Sequence, residues 1–252
     1  MDLNGKTALV TGAASGFGKA MAERFATLGA HVAVVDLNAD KAHAVANAIG
    51  DTAGEGRAIG IAADVTRRAD IDAAIAATEQ AFGVPDIVVN NAGFTHRNRP
   101  LQEVDEETFD RVFAVNVKSI YHMVHAVAAK MRDRGGGVML NIGSTAGIRP
   151  RPGLTWYNGS KAATNMLSKS LAIELAPWKI RVNAICPVMG ATPMLADFMG
   201  APDTPANRER FLGTIPLGRL CEPEDVADAA VYLATADFIT GIDLPVDGGR
   251  TI

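Results

Sequence analysis

Short apolar runs alternate with stretches of helical period along the chain, and this alternation narrows the possible folds more than any other feature. Thr7–Thr11, His31–Asp36, a run within Arg57–Val65, Ile87–Asn90, Val138–Ile142, Ile180–Ile185 and Ile242–Val246 read as seven strands. After the first, Phe17, Ala20, Met21, Arg24, Phe25 and Leu28 recur at helical spacing until Gly29. Asp40–Ile49, Arg67–Phe82, Glu103–Arg134, Thr155–Ala176 and Glu222–Ala234 read as further helices, the last with Pro223 in its first turn. Strands alternating with helices predict an α/β fold: a parallel sheet covered by helices on both faces. No linker or repeat interrupts the pattern, so one domain over 1–252 is expected. The stretch Val188–Arg219 is longer than an ordinary connection and rich in Gly, Pro and Met, with a short helix at Pro205–Leu212. It reads as a substrate-binding lid at about 188–219.

Composition excludes several classes. With 252 residues, 48% of them hydrophobic, the chain can bury a large core. The net charge of −4 and dispersed Lys and Arg carry no nucleic-acid footprint. Cys186 and Cys221 form no disulfide framework. The five histidines, His31, His43, His96, His122 and His125, are scattered, and no Cys/His spacing fits a metal site. Met1–Lys6 has no signal-peptide core, and no apolar run reaches membrane-spanning length. A soluble cytoplasmic protein is expected.

Three local patterns carry chemistry. The first is the glycine-rich turn Gly12-Ala13-Ala14-Ser15-Gly16-Phe17-Gly18 between the first strand and its helix. Glycines let backbone approach a pyrophosphate, and a helix N-terminus offers unpaired N–H groups and a positive dipole end. The second is Asp36, closing the second strand. An acid there can accept hydrogen bonds from adenosine ribose hydroxyls and repel a 2′-phosphate; alternatively it only caps a turn. The third is Tyr157 and Lys161, whose i, i+4 spacing puts both on one helix face. A free phenol titrates at about 10, and a neighbouring cation lowers that value toward use as a base. Alternatively the two merely share a face. Asp64, near the third strand's end, has a second reading as N-cap of the helix Arg67–Phe82.

Taken together, Thr11–Gly18, Asp64, Asn90-Asn91-Ala92-Gly93, Asn116, Ser144, Tyr157-Asn158-Gly159-Ser160-Lys161, Pro187, Ile239-Thr240-Gly241 and Val246-Asp247-Gly248-Gly249 resemble the short-chain dehydrogenase/reductase family over essentially the whole chain. The resemblance implies a single-domain, Rossmann-like, doubly wound fold with a seven-stranded parallel sheet. It implies an enzyme that interconverts a secondary alcohol and a ketone by hydride transfer with a nicotinamide cofactor. The cofactor would be held by Gly12, Ser15, Gly16, Phe17 and Gly18 at the pyrophosphate, and by Asp36 at the ribose. Asp64 and Val65 would border the adenine, with Asn91, Ala92 and Gly93 on the adenosine side. Pro187, Val188 and Thr192 would approach the nicotinamide carboxamide. Tyr157 would exchange the hydroxyl proton, and Ser144 would donate to the substrate oxygen. Lys161 would lower the Tyr157 pKa and bind the nicotinamide ribose, and Asn116 would hold a water linking Lys161 to solvent. Alternatively Asn116 is a helix-interior residue satisfied by backbone. A homotetramer paired through Asp105–Arg134, Thr155–Ala176 and the last strand is implied as well.

Asp36, Ser15 where NADPH users of the family commonly carry Arg, and the absence of a neighbouring cation favour NAD. A small alcohol, sugar or hydroxy acid is the expected substrate. The rival reading is an NADPH-dependent 3-oxoacyl-carrier-protein reductase; a third is a non-catalytic sensor or scaffold on the same fold. Two loops expected beside the pocket are basic, one with Arg97 and Arg99, the other with Arg149 and Arg151. These guanidinium groups would receive an anionic or richly hydroxylated substrate end; alternatively they are solvated or pair across a subunit interface. Met189, Met194, Leu195, Phe198, Met199 and Phe211 would cover the ligand.

Overall fold

The computed structural model describes residues 3–252. Its elements, in order, are β1 (Thr7–Thr11), α1 (Gly16–Thr27), β2 (His31–Asp36), α2 (Ala39–Ala53), β3 (Ala58–Ala62), α3 (Arg68–Phe82), β4 (Ile87–Asn90), α4 (Glu106–Phe113), α5 (Ser119–Arg134), β5 (Gly137–Ile142), α6 (Thr155–Leu175), β6 (Ile180–Pro187), α7 (Leu195–Met199), α8 (Pro205–Leu212), α9 (Pro223–Thr235) and β7 (Asp243–Val246). The strands form one sheet in the order β3-β2-β1-β4-β5-β6-β7. Every pairing is parallel.

The period-2 alternation of the strands divides the core. Ala8, Val10, Val32, Val34, Val89 and Leu140 point to one side and pack with Met21 and Phe25 of α1, Ile49 of α2 and Val226 of α9. Leu9, Ala33, Val35, Val88, Met139 and Val182 point to the other and pack with Ile71 of α3, Met123 and Met131 of α5 and Leu175 of α6. Both faces are therefore dry, which is why the central strands read as continuous apolar runs. The chain reverses direction across the sheet at β1, which pairs with β2 on one side and β4 on the other. Connections from the carboxyl ends of β1 and β4 therefore diverge and open a crevice, the usual ligand position in such sheets.

Several boundaries differ from the sequence expectation. β3 stops at Ala62, so Asp64 and Val65 lie in the loop beyond it. Arg67, not Asp64, precedes α3; Asp64 instead accepts from the Thr66 backbone N–H and hydroxyl at 2.9 and 2.7 Å. β6 runs on through Cys186 and Pro187 because β7 pairs with it there, a constraint local periodicity does not carry. The expected helix Glu103–Arg134 is interrupted by a π-helical turn at Ala114–Lys118. The extra residue in that turn reorients its side chains, and such turns concentrate at functional sites.

The long stretch after β6 folds into α7 and α8 around a small apolar core of Met189, Leu195, Met199, Ile215 and Leu220. Among the described residues no helix is long and apolar enough to cross a membrane, and both cysteines are free.

Candidate active site

Glycine geometry shapes one end of the cleft. Gly12 has φ +62, and a Cβ there would come within 2.8 Å of the Ala92 Cα. At Gly18 a Cβ would sit 2.3 Å from the Gly12 carbonyl oxygen and 2.4 Å from Asn91 Nδ2, so α1 seats against this turn only as glycine. Asn91 fixes the same turn by donating from Nδ2 to the Thr11 and Gly12 carbonyls at 2.8 and 3.0 Å. Thr11 Oγ1 accepts from the Asn91 and Ala92 backbone N–H groups, both at 3.1 Å.

Just beyond, α1 begins without a side-chain cap, as α3 and α6 also do. Asn38, Asp105 and Thr204 cap α2, α4 and α8 with side-chain oxygens, whereas Ser15 makes no cap bond and the first turn of α1 holds no acid. The N-terminal N–H groups of α1 thus face the cleft without a competing anion, and this donor set suits a pyrophosphate. Asp36 stands beside the turn, accepting from the Ala14 and Asn38 N–H groups, both at 3.0 Å. It has no Lys or Arg partner among the described residues. The chemistry of this end fits the adenosine diphosphate half of a dinucleotide.

The cleft continues across the carboxyl edge of the sheet as a cavity of about 560 Å³. Gly12, Ser15, Gly16, Phe17 and Asp36 line it at one end, and Asp64, Val65, Asn91, Ala92 and Gly93 follow along the edge. Ser144, Tyr157, Lys161, Pro187 and Val188 line it as well, and Thr192 reaches back beside Gly16. Two expected residues lie behind its wall. Gly18 supports the turn as described. Asn116 sits in the π-helical turn, where Oδ1 accepts from Phe94 N at 2.8 Å and Nδ2 donates to Phe94 O and Ser160 Oγ, both at 2.9 Å. Its carbonyl accepts from Thr164 Oγ1 at 3.1 Å. The amide thus ties the loop after β4 to α6.

Ser144 and Tyr157 meet at the substrate end. Ser144 begins a short 3₁₀ turn, its Oγ accepting from Ala146 N at 3.0 Å, and it lies close enough to Tyr157 to act on its phenol. The Phe198 ring from α7 stands edge-on to Tyr157 at 5.1 Å. Lys161 Nζ donates to the Ile142 carbonyl at 2.7 Å and lies 5.9 Å from the Tyr157 ring centroid. Burial pushes the Tyr157 phenol up to about 12, and the Ser144 hydroxyl and the Arg151 charge only partly offset it. The expected lowering by Lys161 is not met in this geometry. The ammonium is turned to Ile142, and burial pulls its own pKa down to about 8.

Of the four arginines expected near the substrate, only Arg151 lines the cleft. Arg97, Arg99 and Arg149 turn to the carbonyls of Gly200, Glu103 and Arg250 and fasten loops. The cleft gains instead Arg111, which lies over the Phe94 ring at 4.3 Å, Arg210 of α8 and Arg250. The approach of chain segments distant in sequence brings these three in, and no local pattern marks them.

A family model described as Enoyl-(Acyl carrier protein) reductase matches residues 12–251. The chain is 53% identical to the 4-formylbenzenesulfonate dehydrogenase of Comamonas testosteroni, over 100% of both chains. It is 40% identical to the D-threitol dehydrogenase of Mycolicibacterium smegmatis, covering 99% of this chain and 94% of the relative. Among solved structures, the 3-ketoacyl-(acyl-carrier-protein) reductase from Brucella melitensis complexed with NADH superposes with a TM-score of 0.92 at 46% identity, over 100% of both chains.

The buried ammonium has a stability consequence. Burial lowers the folded Lys161 ammonium from its ordinary 10.5 to about 8. Between those values the unfolded chain holds the proton and the folded chain does not, so wild-type stability gains as pH rises from 8 toward 10. Lys161→Met lacks this gain. Urea unfolding at pH 7.5 and pH 10 is expected to show wild type improving relative to Lys161→Met, by an amount on the order of 3 kcal/mol. Equal pH dependence of the two proteins contradicts the assignment.

Proposed function

The chain belongs to the short-chain dehydrogenase/reductase family, and on that premise we propose that it is an NAD(H)-dependent dehydrogenase of a small alcohol, working through Ser144, Tyr157 and Lys161. One observation carries this reading: those three side chains wall the same cleft whose other end holds the glycine turn and Asp36. A nicotinamide, when bound, supplies the hydride acceptor or donor at the carbinol carbon.

The chain's own residues do the rest. Tyr157 Oη takes the hydroxyl proton during oxidation and returns it during reduction, and positioned acid–base work of this kind contributes roughly 10²- to 10⁴-fold. Ser144 donates to the substrate oxygen as negative charge develops there. Lys161, fastened to the end of β5, presents a cation to the cofactor's ribose side of the cleft. Asn116 acts as a positioning residue, holding the Phe94 loop and the Ser160 region of α6 at a fixed separation. Gly12, Ser15, Gly16, Phe17 and Gly18 form the pyrophosphate cradle. Asp64, Val65, Asn91, Ala92 and Gly93 border the adenosine half, and Pro187, Val188 and Thr192 border the nicotinamide half. The relatives' names, one an aromatic aldehyde and one a sugar alcohol, support a small carbonyl or carbinol compound as substrate.

Asp36 supports NAD over NADP. Its oxygens already accept two backbone N–H groups and leave a negative edge beside the turn, which a 2′-phosphate would meet without a compensating cation. A homotetramer is the proposed assembly. Its support is the exposed apolar set Tyr121, Met166 and Ile173 on α5 and α6, at 57%, 60% and 78% exposure.

Two measurements test these points. Steady-state kcat/KM with both cofactors is expected to favour NAD(H), and Asp36→Ala is expected to narrow the preference; a wild-type preference for NADP(H) refutes the cofactor assignment. Sedimentation velocity is expected to report a tetramer, and a monomer at micromolar concentration contradicts the proposed pairing.

A further inference from the structure

Most arginines elsewhere in this chain are neutralised or spent, and Arg111 and Arg210, which also line the cleft without a carboxylate partner among the described residues, are exposed. Arg68, Arg134, Arg208 and Arg219 pair with Asp72, Asp86, Asp203 and Asp225. Arg181 gives its guanidinium to the carbonyls of Leu233, Ala234 and Ile239. Arg151 and Arg250 are the contrast. Both are half-buried, both line the cleft, and neither has a carboxylate partner among the described residues.

Their placement is built rather than incidental. Arg151 sits in the loop between β5 and α6, its carbonyl held by Asn158 Nδ2 at 2.8 Å, and its guanidinium stacks over the Phe211 ring at 4.9 Å. Arg250 is carried by a tight C-terminal turn. Asp247 accepts there from Gly249 N, Thr251 N and Thr251 Oγ1 at 2.9, 2.8 and 2.7 Å, and Arg149 donates to the Arg250 carbonyl at 2.8 Å. The two guanidinium groups are close enough for Arg250 to disfavour the Arg151 charge, and burial disfavours it further. Arg151 is also close enough to Tyr157 to act on its phenol. Two like charges facing one partly dry cleft cost stability unless an anion joins them. The cleft they share with Ser144 also has apolar walls, from Leu154, Met194, Phe198 beside Tyr157 and Phe211 beneath Arg151.

We infer that Arg151 and Arg250 form a receptor for an anionic group, a sulfonate or a carboxylate, carried on an apolar body at the opposite end of the substrate from its carbinol carbon. The guanidinium fork matches the paired oxygens of such a group, and the aromatic walls match a flat body between the two ends. This deepens the dehydrogenase reading and rests on it: the anion end would fix which carbon is presented to Tyr157.

The test reads binding, so it does not depend on turnover. Calorimetry in the presence of NADH compares 4-methylbenzenesulfonate with 4-methylbenzenesulfonamide, a neutral molecule of nearly the same shape. The sulfonate is expected to bind at least about tenfold tighter, since hydrogen bonds to charged groups are worth about tenfold to a hundredfold in affinity. Arg151→Gln and Arg250→Gln are each expected to lose most of that preference. Arg68→Gln, a distant change of the same charge, is expected to keep it, and all variants should bind NADH as wild type does. Equal affinity of the wild type for the two probes overturns the inference, as does a preference that survives both cleft substitutions. Failure to take up NADH would instead sink the dehydrogenase reading, which keeps the two failures apart.

Discussion

A seam of buried amides and hydroxyls along the carboxyl edge of the sheet holds the site together. Asn90 Nδ2 donates to Asn141 Oδ1, and Asn141 Nδ2 to Ser168 Oγ, both at 2.8 Å, which locks β4 to β5 and β5 to α6. Asn91 binds the β1 turn, Asn116 binds the loop after β4, and Lys161 binds the last carbonyl of β5. The buried members, Asn90, Asn116, Asn141, Lys161 and Ser168, would be costly to leave unpaired away from water. The seam therefore has one satisfied arrangement, and that arrangement aims the glycine turn, Ser144 and Tyr157 into one cavity. An apolar edge would pack as well but would leave the register of loops and α6 unspecified.

The same burial works against the groups that do chemistry. The surroundings that keep the phenol dry raise it, and those that keep the ammonium dry lower it. The site thus holds Tyr157 protonated and Lys161 poised near neutrality, and Ser144 and Arg151 pull the phenol back toward reactivity. Such opposed shifts within one cleft are typical of sites where a proton changes hands.

Much of this was legible along the chain because its causes are local or repetitive. Continuous apolar runs revealed strands that are dry on both faces, and Gly12, Gly18 and Asp36 marked the turn through spacing. Tyr157 and Lys161 share a helix face, as their spacing suggested, and both line the cavity. What escaped the reading depends on pairings made after folding. β6 extends to Pro187 because β7 lies beside it. The π-helical turn at Asn116 adds one residue to a helix whose periodicity otherwise looks unbroken. The basic character of the loops was visible, but not which cations turn inward: Arg97, Arg99 and Arg149 found carbonyls, while Arg250 enters from the C-terminal turn that Asp247 builds.

The central claim is that the Tyr157 hydroxyl is the proton-carrying group of an alcohol dehydrogenase. Tyr157→Phe removes only that oxygen and keeps the ring that packs against Phe198. The direct measurement pairs NADH binding with alcohol-dependent reduction of NAD, followed by absorbance, in this variant. The account predicts a folded protein that binds NADH as wild type does and has lost turnover by about a hundredfold or more. Turnover close to wild type, in a variant shown to be folded, would contradict it.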